Sequence, residues 1–315
     1  MTGYAIETKG LTKRYKGGIL ALKDLDLQIG HGTCVGFLGP NGAGKTTTIK
    51  VLTNLIAPTS GEAYINGVDV VRDPKEALRQ VDSLVEVPGM PDYLSPHEML
   101  SYFGKVRGMS TDAIHARITE VLATVKLSDW EHKKIGSFST GMTRRLAIAK
   151  ALLHDPDILI MDEPVIGLDP KGMRDIRDII KGKVKDGKTI FLSSHLLGEV
   201  AETCTEVILL ERGQVVGKGT VAELTSKALA RSIDVTFRHP LADADLARVR
   251  GIDLVKGVDP LGDRVRLAFD GSPDSGAAIL SQLVSMGLGV TSFTPQAATL
   301  EDVYVSVMGD ERGVN

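Results

Sequence analysis

A chain of 315 residues, with 37 lysines and arginines against 40 aspartates and glutamates, carries a formal net charge of −3. That balance argues against nucleic acid as the main partner, because binding a phosphate backbone needs a basic surface; the length suffices for two domains of ~100–200 residues each. Hydrophobic residues at 43% and charged ones at 24% are those of a globular protein. No apolar run approaches the ~20 residues that cross a bilayer. The start, Met1-Thr2-Gly3-Tyr4-Ala5-Ile6-Glu7, lacks the basic-then-apolar pattern of a secretory leader. A cytoplasmic protein is expected, with Cys34 and Cys204 as buried thiols; a disulfide or metal pair is the alternative.

In chain order, Ala5-Ile6-Glu7-Thr8 reads as an edge strand and Leu25-Asp26-Leu27-Gln28-Ile29 alternates like a half-buried one. Thr33 to Leu38 reads as a short buried strand. It runs into Gly39-Pro40-Asn41-Gly42-Ala43-Gly44-Lys45-Thr46, a complete G-x-x-x-x-G-K-[ST] loop, and Thr47 opens a helix. Glycines let successive backbone N–H groups curl round a phosphate chain, and the helix start adds partial positive charge. Lys45 would neutralise the β- and γ-phosphates, and the Thr46 hydroxyl would ligate Mg²⁺. Strand, loop and helix are in register, which sets aside a chance Gly-rich turn.

Asn66-Gly67 marks a hairpin turn. From Asp73 to about Trp130 the pattern reads as helical, with a helix start at Ser95-Pro96-His97-Glu98: Ser95 as N-cap, Pro96 at the first position, Glu98 closing a capping box. His97 is thereby expected to face solvent at a helix end rather than a metal.

Ile158 to Met161 and Thr189 to Leu192 are continuous apolar runs, as in parallel sheets covered on both faces. Helical segments Gly141 to Leu153 and Gly172 to Lys185 separate them, an α/β alternation. The first run ends in Asp162-Glu163, two carboxylates at the carboxyl edge of a sheet. Asp162 would hold Mg²⁺ through its water shell, and Glu163 would polarise the water that attacks a γ-phosphate. Leu209 to Val216 reads as a hairpin. Beyond Glu223, strands at 233–237, 254–258, 264–269 and 290–293 and helices at 242–248, 277–286 and 300–308 give a β-α-β-β-α-β order, that of a small ferredoxin-like domain.

The segment Phe138-Ser139-Thr140-Gly141-Met142-Thr143-Arg144-Arg145, before the acidic strand, resembles the Leu-Ser-Gly-Gly-Gln signature of ABC-transporter ATPases. Ser139 and Gly141 match it; Phe138, Thr140 and Met142 depart. The resemblance implies a P-loop ABC ATPase domain over residues 1–223, with mixed sheet core, antiparallel β subdomain and a helical subdomain at about 86–153, then an accessory domain at 224–315. It also implies that Ser139, Thr140 and Gly141 grip the γ-phosphate of ATP held by a partner subunit. Tyr15 resembles the aromatic that stacks on adenine, Asp169 in Gly167-Leu168-Asp169-Pro170 the residue that couples two sites across a dimer, and His195 the switch histidine working with Glu163. Where the family has a glutamine touching Mg²⁺ and water, this chain has Glu86.

Val87 to Leu94 resembles the variant seen in exporter ATPases of the peptide-antibiotic resistance type. Ala298-Thr299-Leu300-Glu301-Asp302-Val303-Tyr304 resembles the ending of ATPases of ABC-2-type exporters. The expected function is thus the ATP- and Mg²⁺-dependent hydrolytic subunit of a membrane exporter, at the inner face of the membrane through a separate transmembrane permease. It would work as a homodimer or heterodimer of ATPase subunits and without nucleic acid. The alternative is a soluble ABC-type ATPase acting outside transport.

Overall fold

The computed structural model describes residues 3–85, 89–227, 232–296 and 298–309. Its contacts divide the chain into two compact units, one running to Gly219 and one starting at Thr220. In the first, β1 (Ile6–Arg14) and β2 (Leu20–Ile29) precede β3 (Cys34–Leu38) and α1 (Lys45–Leu52). Then come β4 (Ser60–Ile65), β5 (Val68–Asp69), α2 (Pro74–Ala77) and β6 (Val81–Leu84). Two helices, α3 (Pro96–Val106) and α4 (Thr111–Thr124), lead to α5 (Thr140–Leu152), β7 (Ile158–Asp162), α6 (Pro170–Lys185) and β8 (Thr189–Ser194). The unit closes with α7 (Leu197–Thr203), β9 (Glu206–Glu211) and β10 (Gln214–Thr220).

Two sheets result. A four-stranded antiparallel one has the order β2-β1-β4-β5, and a six-stranded one the order β10-β9-β3-β8-β7-β6. In the latter β3 runs parallel to β8 and β9, and β7 parallel to β6 and β8. Strands β3, β7 and β8 are buried at every position, which is why their sequences are apolar runs without alternation. Phe37 and Phe191 meet at 5.1 Å between ring centroids, within a core shared with Ile6, Leu27, Ile49 and Leu52.

Two sequence expectations change. β1 is not an edge strand: β2 and β4 flank it, and Ile6, Thr8 and Leu11 are buried. A register shift between Thr8 and Leu11 interrupts its alternation. The stretch read as wholly helical contains β6, whose central Asp82 is buried among Arg107 Nη2 at 3.0 Å, His154 Nδ1 at 3.5 Å and Lys150 Nζ at 4.0 Å. The Ser95 capping box is present as read, with Glu98 N–H donating to Ser95 Oγ and Ser95 N–H to Glu98 Oε2.

The second unit comprises α8 (Val221–Lys227), β11 (Ser232–Phe237), α9 (Asp243–Arg250), β12 (Gly257–Leu261), β13 (Arg264–Ala268), α10 (Pro273–Ser285), β14 (Val290–Pro295) and α11 (Leu300–Gly309). Its antiparallel sheet has the order β12-β13-β11-β14, the split β-α-β arrangement of a ferredoxin-like fold. Val235, Leu267, Phe269, Ile279 and Leu283 form its core. β12 starts three residues later than its sequence suggests, because Leu254 and Val255 pack on that core in the turn closing α9. α10 starts earlier, capped by Ser272 with Pro273 in its first turn. No helix among the described residues is long and apolar enough to cross a membrane.

Candidate functional site

Strand register assembles the site. Leu38 pairs with Ser194, and Asp162 with Ser193, so β3, β8 and β7 end side by side at their carboxyl edge, where open α/β sheets bind ligands. The loop 39–44 leaves β3, Glu163 follows β7 and His195 follows β8. A cleft of about 500 Å³ is lined there by Tyr15, Asn41, Gly42, Gly44, Lys45, Thr46, Thr47, Glu163 and His195. Gly39, Pro40 and Ala43 form the rest of the loop. Tyr15 comes within 3.3 Å of Thr47 through its hydroxyl.

The loop needs its glycines for stated reasons. Gly44 caps α1 at φ 111, and a Cβ there would come within 2.7 Å of both Ala21 O and Leu22 Cδ2. A Cβ on Gly39 would lie 2.3 Å from Leu210 O. Lys45 is buried, and its Nζ donates to Gly39 O at 2.7 Å and Pro40 O at 3.2 Å. Burial lowers its pKa, opposed by the nearby charges of Glu163 and Asp162.

Glu163 adopts φ 48, the left-handed region that side chains avoid. Its backbone is held on both sides: its N–H donates to Ser193 O at 3.2 Å and Ser193 Oγ at 3.1 Å, and its carbonyl accepts from Arg144 Nη2 at 2.6 Å. The carboxylate faces His195 Nδ1 at 2.9 Å and Lys45 Nζ at 4.0 Å. Asp162 is buried behind it and accepts from Ser193 Oγ.

Ser139, Thr140, Gly141 and Asp169 line a different cavity of about 600 Å³, with Lys126, Arg145 and Lys171 at its walls. Ser139 caps α5, its Oγ accepting from Met142 N–H at 3.3 Å; the hydroxyl proton stays available to a phosphate oxygen. A Cβ on Gly141 would meet Leu168 Cδ2 only at 3.7 Å, an ordinary contact, so the subunit's own packing does not demand glycine. Asp169 caps α6, accepting from Gly172 N–H at 2.8 Å.

Glu86 lies outside the described residues. Arg144 and Ser193 are the residues that sequence reasoning left without a role. Arg144 had a signal: it falls on the buried stripe of α5 with Ala147, Ile148 and Ala151. Cys34 and Cys204 are free buried thiols 3.3 Å apart. The Cys34 hydrogen bond, with burial, raises the Cys204 pKa.

Sheet, phosphate loop and acidic strand end define a P-loop nucleoside triphosphatase. A family model for ABC transporters matches residues 22–166. The chain is 31% identical to the daunorubicin/doxorubicin resistance ATP-binding protein DrrA of Streptomyces peucetius, over 97% of this chain and 92% of that one. It is 43% identical to the bacitracin transport ATP-binding protein BcrA of Bacillus licheniformis, over 67% and 68% of the two chains. A solved ATP-binding cassette, a dimer in a post-hydrolysis state with ADP and Pi, superposes with a TM-score of 0.62 at 28% identity, covering 68% of this chain and 98% of that one. The chain belongs to the family of ABC transporter ATP-binding proteins. As such it binds and hydrolyses ATP, in partnership with transmembrane permease subunits.

Proposed function

We propose that this chain is the cytoplasmic ATPase subunit of an exporter, docked at the inner face of the membrane through a separate permease, and that two ATPase subunits pair head to tail. The observation that carries the pairing is the separation of the site residues into two cavities. The cleft at Lys45 is lined by the phosphate loop but not by Ser139 or Gly141, and the cavity at Ser139 and Gly141 has polar and cationic groups with no phosphate loop of its own. Each would complete the other's half-site across a dimer. The relatives named for daunorubicin/doxorubicin resistance and bacitracin transport support export. Tyr93, Tyr102 and Val106, exposed on and just before α3, support a docking surface there.

In hydrolysis, backbone N–H groups of the loop and the start of α1 hold the phosphates, and Lys45 leaves the loop carbonyls for the β- and γ-oxygens. Thr46 and Asp162 offer the hard oxygen donors that suit Mg²⁺, and would hold it in this cleft. Bound there, the ion supplies charge neutralisation. Glu163 accepts a proton from water as its oxygen attacks the γ-phosphorus and the bond to the β-phosphate oxygen breaks, releasing ADP. His195 holds the Glu163 carboxylate in position. Tyr15 stacks on adenine, and Asp169 lies where the two half-sites meet.

The test is Glu163→Gln. It should retain ATP and accumulate as a dimer with turnover abolished, read by size-exclusion chromatography and phosphate release. Hydrolysis near the parental rate would remove Glu163 from the mechanism.

A further inference from the structure

Away from the nucleotide cleft, the helical part of the first unit carries three histidines from separate segments. His97 lies in the first turn of α3, His115 on α4, and His132 follows Glu131 after the turn at 128–130. We propose that His97, Glu131 and His132 form a transition-metal site suited to Zn²⁺. Their ligand atoms all lie within 4.8 Å of one another. One oxygen, Glu131 Oε1, is the focus: His97 Nδ1 stands 2.8 Å from it and His132 Nε2 3.9 Å from it.

A hydrogen bond accounts for the first of these distances and not the second. One carboxylate proton-sharing contact satisfies His97, whereas the His132 nitrogen faces the same oxygen from beyond bonding reach. A cation seated between the three satisfies all of them. Zn²⁺ binds imidazole nitrogen and carboxylate oxygen at roughly 2.0–2.2 Å in tetrahedral sets, which sets ligand atoms roughly 3.3–3.6 Å apart, so closing the site requires the His97–Glu131 contact to open slightly and the His132 side chain to move. That side chain is 76% exposed and free to swing. Two imidazoles and one carboxylate also favour Zn²⁺ over the oxygen-seeking Mg²⁺ and Ca²⁺.

The backbone presets the other two ligands. His97 N–H donates to Glu131 O at 3.0 Å, fixing the start of α3 to the loop, and the Ser95 capping box fixes the turn that carries His97. His97 is half-buried against Glu131, not turned to solvent as its place at a helix end suggests. Neighbouring cations are directed elsewhere: Lys134 Nζ is 3.3 Å from Glu98 Oε2, and Lys133 Nζ lies over the Trp130 ring at 4.2 Å. A water would supply the fourth ligand; the His115 ring lies 5.5 Å from that of His97. The bound ion pins the first turn of α3 to the segment that leads into the Ser139 helix.

Calorimetric titration of the full chain with Zn²⁺ alone, without nucleotide, tests this. One site should appear, weakened at least about tenfold by either His132→Ala or Glu131→Gln and retained in Asp162→Asn. Zn²⁺ should raise the melting temperature of the parent and of Asp162→Asn by similar amounts, and that of His132→Ala by clearly less at the same Zn²⁺ concentration. His132 is exposed, so its variant should melt like the parent in chelator. Equal Zn²⁺ affinity in parent and His132→Ala, or binding lost in Asp162→Asn but kept in His132→Ala, overturns the site.

Discussion

The guanidinium of Arg144, at the start of the signature helix α5, donates to the main-chain carbonyl of Glu163 at 2.6 Å. Arg144 is buried, and desolvation lowers its pKa against the pull of Asp162 and Glu163. It is therefore a positioning residue: the helix proposed to face a partner's phosphate also grips the backbone of Glu163, the residue proposed to handle water. Arg144→Ala should lower kcat on the order of tenfold to a hundredfold, the effect of a misplaced group, with the KM for ATP nearly unchanged. Arg144→Lys should recover part of the rate. Steady-state ATPase assays paired with melting curves decide the matter, since a merely structural role would lower the melting temperature without splitting kcat from KM.

Gly44 and Gly42 should differ on replacement by alanine. Both have positive φ, 111 and 84, but only at Gly44 does an added Cβ collide, with Ala21 O and Leu22 Cδ2; at Gly42 it meets nothing within 4 Å. Gly42→Ala should cost about 1 kcal/mol of backbone strain. Gly44→Ala should lose more stability and also ATP affinity. Denaturant unfolding and nucleotide titration of both variants check the ranking.

These contrasts show where the sequence was readable. The phosphate loop and the Asp162-Glu163 step are contiguous, because the chemistry needs adjacent backbone groups or one strand end, and both appear as strings. Arg144 acts on a carbonyl 19 residues away, and a carbonyl leaves no mark in a sequence. β6 escaped because Asp82 makes it look polar; Arg107, Lys150 and His154, from distant stretches, offset its charge only after folding. The core strands β3, β7 and β8 were legible because burial on both faces favours unbroken apolar runs such as Ile158 to Met161 and Ile190 to Leu192.

Half-sites that complete each other predict complementation. Lys45→Ala and Gly141→Glu chains should each be inactive alone: one has lost its phosphate cation, and the other sets a carboxylate against the partner's phosphate. Mixed together, a homodimer-forming chain recovers partial activity, because one composite site then contains neither change. Phosphate release from the mixture, measured after co-expression, reads this directly; an inactive mixture sinks self-pairing.

In the second unit, Asp234 on β11 is buried and accepts from Arg266 Nε at 2.7 Å and Nη2 at 3.1 Å. That bond lowers the Asp234 pKa below the ordinary carboxylate value, despite burial. A carboxyl with a depressed native pKa stabilises the fold above its unfolded pKa and loses that contribution as pH falls through the native one. Asp234→Asn should therefore melt below the parent at neutral pH. The gap should begin to narrow below about pH 4, the unfolded aspartate value, and close as pH falls through the lower native pKa. Melting curves across pH 2–7 test this; a constant gap would count against it.

The left-handed backbone of Glu163 sets a limit on engineering. A non-glycine residue held at φ 48 stores on the order of 1 kcal/mol that the surrounding bonds must restrain. Glycine at that position would relax the turn, and a screen for thermal tolerance would favour it while discarding the carboxylate. At this turn, selection for hardiness and selection for turnover pull in opposite directions.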